Sequence, residues 1–349
     1  MAETMKAAFL IEPGRVEYRD IPVPVPAPDE ALIEVMSCGV CGSDVHYYQH
    51  GRIGPFVVEE ALILGHECAG VVVETGGAVT DLKPGDRVAV EPGVPCRRCE
   101  FCRSGRYNLC PDVVFLATPP VQGAFTEYLA HAADFLFKLP DDVTLEEGAM
   151  IEPFAVGIHS AVRGGATVGK TAAVLGTGPI GLCTLQALRA FGVGEIIATD
   201  IAPARLSLAA KLGATATVNA SEADAVEAVM DLTAGRGVDM VFETAGAVST
   251  LQQTPAMVAR GGRVILVGMP AADAIPLDVV LLETKEADVC TIFRYANVYP
   301  KAVAILAEHK VDLKTMITGR YGLDEVPQAL EFASRRSPDT IKIMVNAED

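Results

Sequence analysis

Basic residues are the scarce class in this sequence: 28 Lys and Arg stand against 45 Asp and Glu, a formal net charge of −17. Such a field repels phosphate backbones and argues against nucleic acid as a partner. A phosphate-bearing ligand would have to be held by local dipoles and hydrogen bonds instead. Residues 1–6 lack the basic stretch and following long apolar run of a secretory signal. An uninterrupted membrane-length span is missing too. The nearest candidate, 171–188, carries no charge, but Gly176, Gly178, Pro179 and Gly181 break it. That segment reads as strand, turn and buried helix. Internal repeats and low-complexity segments are also absent. The expectation is a soluble, cytoplasmic protein with neither membrane nor nucleic acid among its partners.

What is present is enough apolar material for two cores. Hydrophobic residues make up 50% of 349, and a chain of that length exceeds one ordinary domain. The first third holds short β-branched or alternating runs at 31–36, 70–74 and 86–90, with Pro84–Gly85 and Pro92–Gly93 turns between them. The proline-rich stretch 21–28 is expected to be a surface connection. Beyond about residue 155 the texture changes. Apolar strands at 171–175, 195–200, 216–219, 239–243 and 263–267 alternate with helical patterns at 180–191, 202–212, 222–233 and 249–258. Such alternation requires crossovers, hence a parallel sheet covered on both faces. Two helices and a strand at 340–345 follow, too little for a domain of their own. The predicted class is therefore α/β. A discontinuous, mainly-β domain spans 1–155 and 294–349, and a doubly wound parallel-sheet domain spans 156–293.

Gly176, Gly178 and Gly181 follow a predicted strand and open a predicted helix. In a dinucleotide-binding turn one glycine makes the bend, one lets backbone approach the pyrophosphate, and one lets helix pack on strand. The helix N-terminus adds free N–H groups and a positive dipole end. A lone pattern of this kind is weak evidence. Asp200 strengthens it by ending the next strand nineteen residues after Gly181. A carboxylate there accepts hydrogen bonds from a ribose and repels a 2′-phosphate, so NAD is expected rather than NADP.

Four of the nine cysteines, Cys96, Cys99, Cys102 and Cys110, fall within fifteen residues, in a lobe spanning 93–112. Four thiolates close a tetrahedral zinc shell with no open position, a structural site. Iron–sulfur ligation competes, because the first three cysteines and Cys110–Pro111 resemble part of a ferredoxin run, although the last spacing is too long. A disulfide knot is the plainer alternative. Cys38, Cys68, Cys183 and Cys290 read as small apolar fillers. Cys41 and His66 lie in glycine-rich bends as candidate ligands of a second, open metal site, although alone they carry little weight.

Gly65, His66, Glu67 and Gly70, followed by Gly76 and Val79, resemble the signature of the zinc-containing alcohol dehydrogenases. The cysteine lobe and glycine turn match in order and spacing, so the resemblance covers essentially the whole chain. Within that family the chain is most similar to sorbitol and xylitol dehydrogenases, through the segments 41–47, 51–54, 115–120, 151–153 and 293–295. The resemblance implies two zinc ions per chain, one catalytic and one structural. Cys41, His66 and one or both of Glu67 and Glu152 hold the catalytic ion. Adjacent residues of a strand face opposite ways, so joint ligation by His66 and Glu67 needs a local bend. The implied reaction oxidises a polyol to a ketose with hydride transfer to NAD. Ser43 is then the first proton acceptor, relaying towards His46. Tyr47, Phe115, Thr118, Arg294 and Tyr295 shape the polyol pocket. Arg205 approaches the adenosine ribose, and Ile180, Val267, Gly268, Met269, Ile292, Phe293 and Arg294 lie along the cofactor.

Two other readings remain open at this level. One is a related zinc dehydrogenase for threonine or a vicinal diol; the other is a catalytically silent NAD- and zinc-binding redox sensor. By analogy with relatives a homotetramer is expected, with contacts around residues 280–289.

Overall fold

The computed structural model describes residues 3–272, 274–335 and 337–347. The chain forms two compact units. The first comprises Met1–Glu152, Tyr299–Ala307 and Leu313–Asp349, and the second Pro153–Val298 and Glu308–Asp312.

The first unit is built on a seven-stranded mixed sheet. Its order runs Leu136–Lys138, Arg87–Val90, Glu67–Thr75, Glu30–Val40, Lys342–Asn346 and Ile317–Gly322, and Tyr128–Ala132 also pairs with Glu30–Val40. The carboxyl-terminal strand Lys342–Asn346 lies antiparallel to Glu30–Val40, with Ile343 opposite Val40 and Val345 opposite Cys38. That pairing brings the end of the chain beside the segment leading into Cys41. A second sheet joins Thr4–Glu12 and Arg15–Pro22 to Leu62–Ile63. The core between these layers is apolar, with Leu10, Ile33, Leu64 and Phe125 fully buried.

The glycine-rich segment after Cys41 is a helix, Gly42–His50, rather than only a bend. Its apolar period is weak, but the Asp44 carboxylate at the third helical position accepts the Cys41 N–H at 2.9 Å. A capping carboxylate in the first turn also complements the helix dipole.

The second unit carries a six-stranded, wholly parallel sheet. Its order is Ala216–Asn219, Glu195–Asp200, Thr171–Leu175, Val238–Glu243, Val258–Leu266 and Asp288–Thr291. Numbered along the chain this is 3-2-1-4-5-6, the doubly wound order whose ligand crevice opens where the strand order reverses. Helices Pro179–Ala190, Pro203–Lys211, Ala225–Leu232 and Val248–Met257 make the first four crossovers. The third starts at Ala225, three residues later than its sequence pattern, because the Asp224 side chain caps it from Val226 N and Glu227 N. Val258 begins its strand directly after a helix containing Pro255. Lys285 closes that junction, donating to the carbonyls of Pro255, Ala256 and Val258 at 2.7–2.9 Å. Cys38, Cys68 and Cys183 are buried, and Cys290 is half-buried on the edge strand.

Candidate metal centre and dinucleotide groove

In the first unit the ligand atoms of Cys41, His66 and Glu67 all lie within 4.8 Å of one another. Cys41 immediately precedes its helix, and His66 immediately precedes the strand Glu67–Thr75. Gly65, just before His66, adopts φ +85° and sets the bend by which the chain enters this strand. A Cβ there would also stand 2.8 Å from the Phe125 ring and 2.9 Å from the Cys38 sulfur, so only glycine fits.

Asp44 joins the two ligand-bearing segments. One carboxylate oxygen accepts from Cys41 N and the other from Gly65 N, each at 2.9 Å, and Oδ1 stands 3.8 Å from His66 Nδ1. Asp44 was not singled out from the sequence, although its place three residues after Cys41 is a capping signal. Its burial raises its carboxyl above the usual range. Burial alone would lower His66, but the Cys41 thiolate and the Asp44 carboxylate outweigh it and raise the imidazole to about 10. A sulfur, an imidazole and a carboxylate oxygen within 4.8 Å of one another fit a divalent metal such as zinc.

The sequence also did not single out Lys342. Its Nζ donates to both Glu67 carboxylate oxygens at 2.8 and 2.6 Å and to Val40 O at 3.1 Å. Both partners are almost wholly buried. Lys342 therefore neutralises Glu67 and holds it on one side of the cluster. Glu152, 6% exposed in the first turn of the helix Ile151–Gly164, lies outside the three-residue ligand group. Its charge still acts on His66 and Lys342.

Ser43 is half-buried and His46 exposed, three residues apart and so on one face of their helix. Tyr47 is buried on the next turn from Ser43. Phe115 packs against the His66 imidazole, with ring centroids 5.6 Å apart, and Thr118 N donates to Phe115 O at 3.2 Å. Arg294 and Tyr295 belong to the second unit, where Arg294 adopts φ +53° and Tyr295 is buried.

The four cysteines of the lobe also converge within 4.8 Å, and all are free thiols. Cys99 and Cys102 sulfurs are 3.4 Å apart, and Cys96 and Cys102 sulfurs 3.9 Å. A tetrahedral shell with zinc–sulfur bonds of about 2.3 Å has sulfurs about 3.8 Å apart, so the lobe fits such an ion. Main-chain N–H groups of Arg98 and Cys99 lower the Cys96 thiol to about 6. The lobe is pinned to its unit by Tyr107, whose hydroxyl donates to Glu91 at 2.7 Å, and by an Arg97–Asp134 ion pair at 2.6 Å. Burial raises the Glu91 carboxyl to about 7.

In the second unit the glycine turn has the geometry its pattern implied. Gly176 adopts φ +93°, and a Cβ on Gly181 would meet Gly176 O at 1.9 Å. A Cβ on Gly178 would meet nothing within 4 Å, so its backbone is open to a ligand at the amino end of the helix Pro179–Ala190, where Ile180 follows. The Asp200 carboxylate accepts from Thr177 N at 2.6 Å, Thr177 Oγ1 at 2.9 Å and Ala202 N at 3.0 Å. Asp200 thus braces the turn itself. Arg205 is half-buried on the helix Pro203–Lys211. A mainly apolar cavity of about 370 Å³ is lined by Val267, Gly268, Met269, Leu251, Thr291 and Ile292 among others, and Phe293 follows half exposed. A glycine turn on a helix end beside an apolar cavity fits a dinucleotide.

The profile of the zinc-binding dehydrogenase family matches residues 179–308, and that of the alcohol dehydrogenase GroES-like domain matches 27–141. A sorbitol dehydrogenase of Bacillus subtilis is 50% identical over 98% of this chain and 97% of its own. An oxidoreductase of unknown specificity from Escherichia coli is 41% identical, with a TM-score of 0.95 over 99% of this chain and 100% of its own. A candidate zinc-binding dehydrogenase from Sinorhizobium meliloti, solved with NADP bound, is 32% identical with a TM-score of 0.91 over the same shares. No helix among the described residues is long and apolar enough to cross a membrane.

Proposed function

This chain belongs to the zinc-binding dehydrogenase family, and from that premise we propose that it oxidises a sugar alcohol of the sorbitol or xylitol type to a ketose, with NAD as hydride acceptor. The observation that carries the reading is the converging donor set of half-buried Cys41 and buried His66 and Glu67, three ligands rather than four, as a catalytic centre requires. The polyol is favoured by the 50% identity with a protein named sorbitol dehydrogenase, over nearly the whole of both chains.

In this reading Cys41, His66 and Glu67 hold a zinc ion, with Glu152 beyond them as a rival ligand or partner. Zinc there supplies Lewis acidity towards an alcohol oxygen, and NAD in the groove of the second unit supplies the hydride acceptor. Asp44 keeps the Cys41 and His66 segments in register, and Lys342 limits the reach of the Glu67 carboxylate. Ser43 takes the hydroxyl proton, and His46, exposed one turn later, passes it to water. Phe115 keeps the imidazole ring in place and, with Tyr47 and Thr118, shapes the first unit's side of the polyol site. The four-cysteine lobe holds a second zinc with no open position. By the same analogy the protein works in the cytoplasm as a homotetramer.

Steady-state rates on sorbitol, xylitol, 2,3-butanediol and L-threonine, each with NAD and with NADP, test the proposal. The expected result is the highest kcat/KM on a polyol with NAD and a ketose as product. Faster turnover of the diol or threonine would overturn the polyol assignment. Absence of turnover on all four by the zinc-loaded protein would overturn the catalytic reading.

A further inference from the structure

The proposed coenzyme groove is made from three separate pieces of chain. They are the glycine turn after Leu175, the loop after Glu243 and the loop after Leu266, each leaving the carboxyl end of a different parallel strand. Two adjacent residues, Glu243 and Thr244, tie all three together.

Glu243 is wholly buried. Its Oε1 accepts the N–H groups of Ala245 at 3.1 Å and Gly246 at 2.9 Å and the hydroxyl of Thr250 at 2.7 Å. Its main-chain carbonyl accepts from Val267 N at 2.8 Å and Gly268 N at 2.9 Å, which sets the start of the apolar ledge. Thr244 reaches towards the glycine turn. Its N–H donates to Leu175 O at 2.9 Å, and its hydroxyl is shared between Leu175 O at 3.0 Å and Gly176 O at 2.7 Å.

The three pieces also approach too closely for a side chain at their glycines. A Cβ on Gly268 would stand 2.2 Å from Gly246 N and 2.8 Å from Glu243 Oε2. One on Gly246 would stand 2.7 Å from Met269 O, and one on Gly176 2.8 Å from the Ala245 Cβ. Close-packed pieces of this kind cannot shift singly.

We infer that Glu243 and Thr244 are coenzyme-positioning residues that fix the span between the pyrophosphate turn and the apolar ledge of Val267, Gly268 and Met269. The inference rests on the proposed reading of this unit as the coenzyme site. A dinucleotide engages both ends, and its second contact gains from a fixed span as an intramolecular event. A ligand that reaches one end gains nothing from it. Glu243 therefore governs the dinucleotide selectively, whereas Thr244, which braces the turn directly, governs both kinds of ligand.

The test measures dissociation constants of NADH and of ADP by calorimetry, with thermal unfolding alongside. Glu243→Gln keeps one acceptor oxygen, loses charge assistance and puts an amide NH2 beside the Gly246 and Gly268 backbone. NADH binding should weaken about tenfold and ADP binding by less than about twofold. Thr244→Val should weaken both ligands. Thr254→Val removes a buried hydroxyl of the helix Val248–Met257 that donates to Leu251 O at 2.8 Å. It should lower Tm and leave both constants unchanged, marking what a purely structural loss looks like. If Glu243→Gln does not fold, Thr250→Val removes one of the donors to Oε1 and should weaken NADH about threefold, again sparing ADP. Equal weakening of NADH and ADP by the Glu243 or Thr250 variant, or parent-like NADH binding, overturns the inference. A parent protein that binds neither ligand overturns the coenzyme reading itself, a separate result.

Discussion

Replacing Lys342 by methionine removes the cation that both oxygens of Glu67 contact, at 2.8 and 2.6 Å, inside a core where the two side chains are 3% and 1% exposed. Breaking a buried pair from one side leaves an uncompensated charge and costs about 3–5 kcal/mol. Methionine fills similar volume, so little of that loss is a cavity effect. For a unit of this size 1 kcal/mol moves Tm by about 2–4 °C, so a fall of about 10 °C is expected in the metal-free protein. A zinc ion beside Glu67 offsets part of the stranded charge, so the fall should be smaller in the metal-loaded protein. Adding Glu67→Gln to Lys342→Met should recover most of the loss, because the charge itself is gone. Thermal unfolding followed by circular dichroism, with and without chelator, reads all of this. A fall below about 2 °C in the metal-free single variant would refute the view that Lys342 neutralises Glu67.

Glu152→Gln should lower turnover by about tenfold or more while leaving NADH binding near the parent value; unchanged turnover would reduce Glu152 to a packing residue. Asp200→Ala combined with Ile201→Arg should move the kcat/KM ratio towards NADP. Because Asp200 also braces Thr177, the variant should lose absolute efficiency with NAD as well. Equal use of both cofactors by the parent would show that Asp200 does not discriminate between them. Glu91, raised by burial to about 7 from 4.5, holds its extra proton only when folded. Stability should therefore fall as pH rises between those two values. Glu91→Gln keeps an acceptor for Tyr107 and should be more stable than the parent at pH 8 by up to about 3 kcal/mol, with little difference near pH 4.5. Parallel urea-unfolding profiles across that range would contradict this.

What could be read from the sequence was local. The strands at 171–175, 195–200 and 216–219 coincide with the observed ones, since short apolar runs between glycines and helical patterns leave little choice of period. The glycine turn was readable because its spacing reflects a backbone requirement. The helix Gly42–His50 was less visible because an aspartate cap, not apolar periodicity, starts it. Lys342 is one cation within a mainly apolar strand, and its partner Glu67 lies 275 residues away. The same limit applies to Glu243, whose carboxylate contacts are near in sequence but whose carbonyl joins a different loop. Residues that act by holding two distant segments together leave no periodic trace in the chain.

In the proposed function the three-ligand centre does the chemistry and the four-thiolate lobe only maintains structure. A chelation time course with zinc content, polyol-dependent NADH formation and circular dichroism followed in parallel tests this most directly. The prediction is two zinc ions per chain at the start. The first should leave together with all activity while the fold persists, and activity should return when zinc is restored. Full activity after loss of the first ion, or a single metal per folded and active chain, would contradict it.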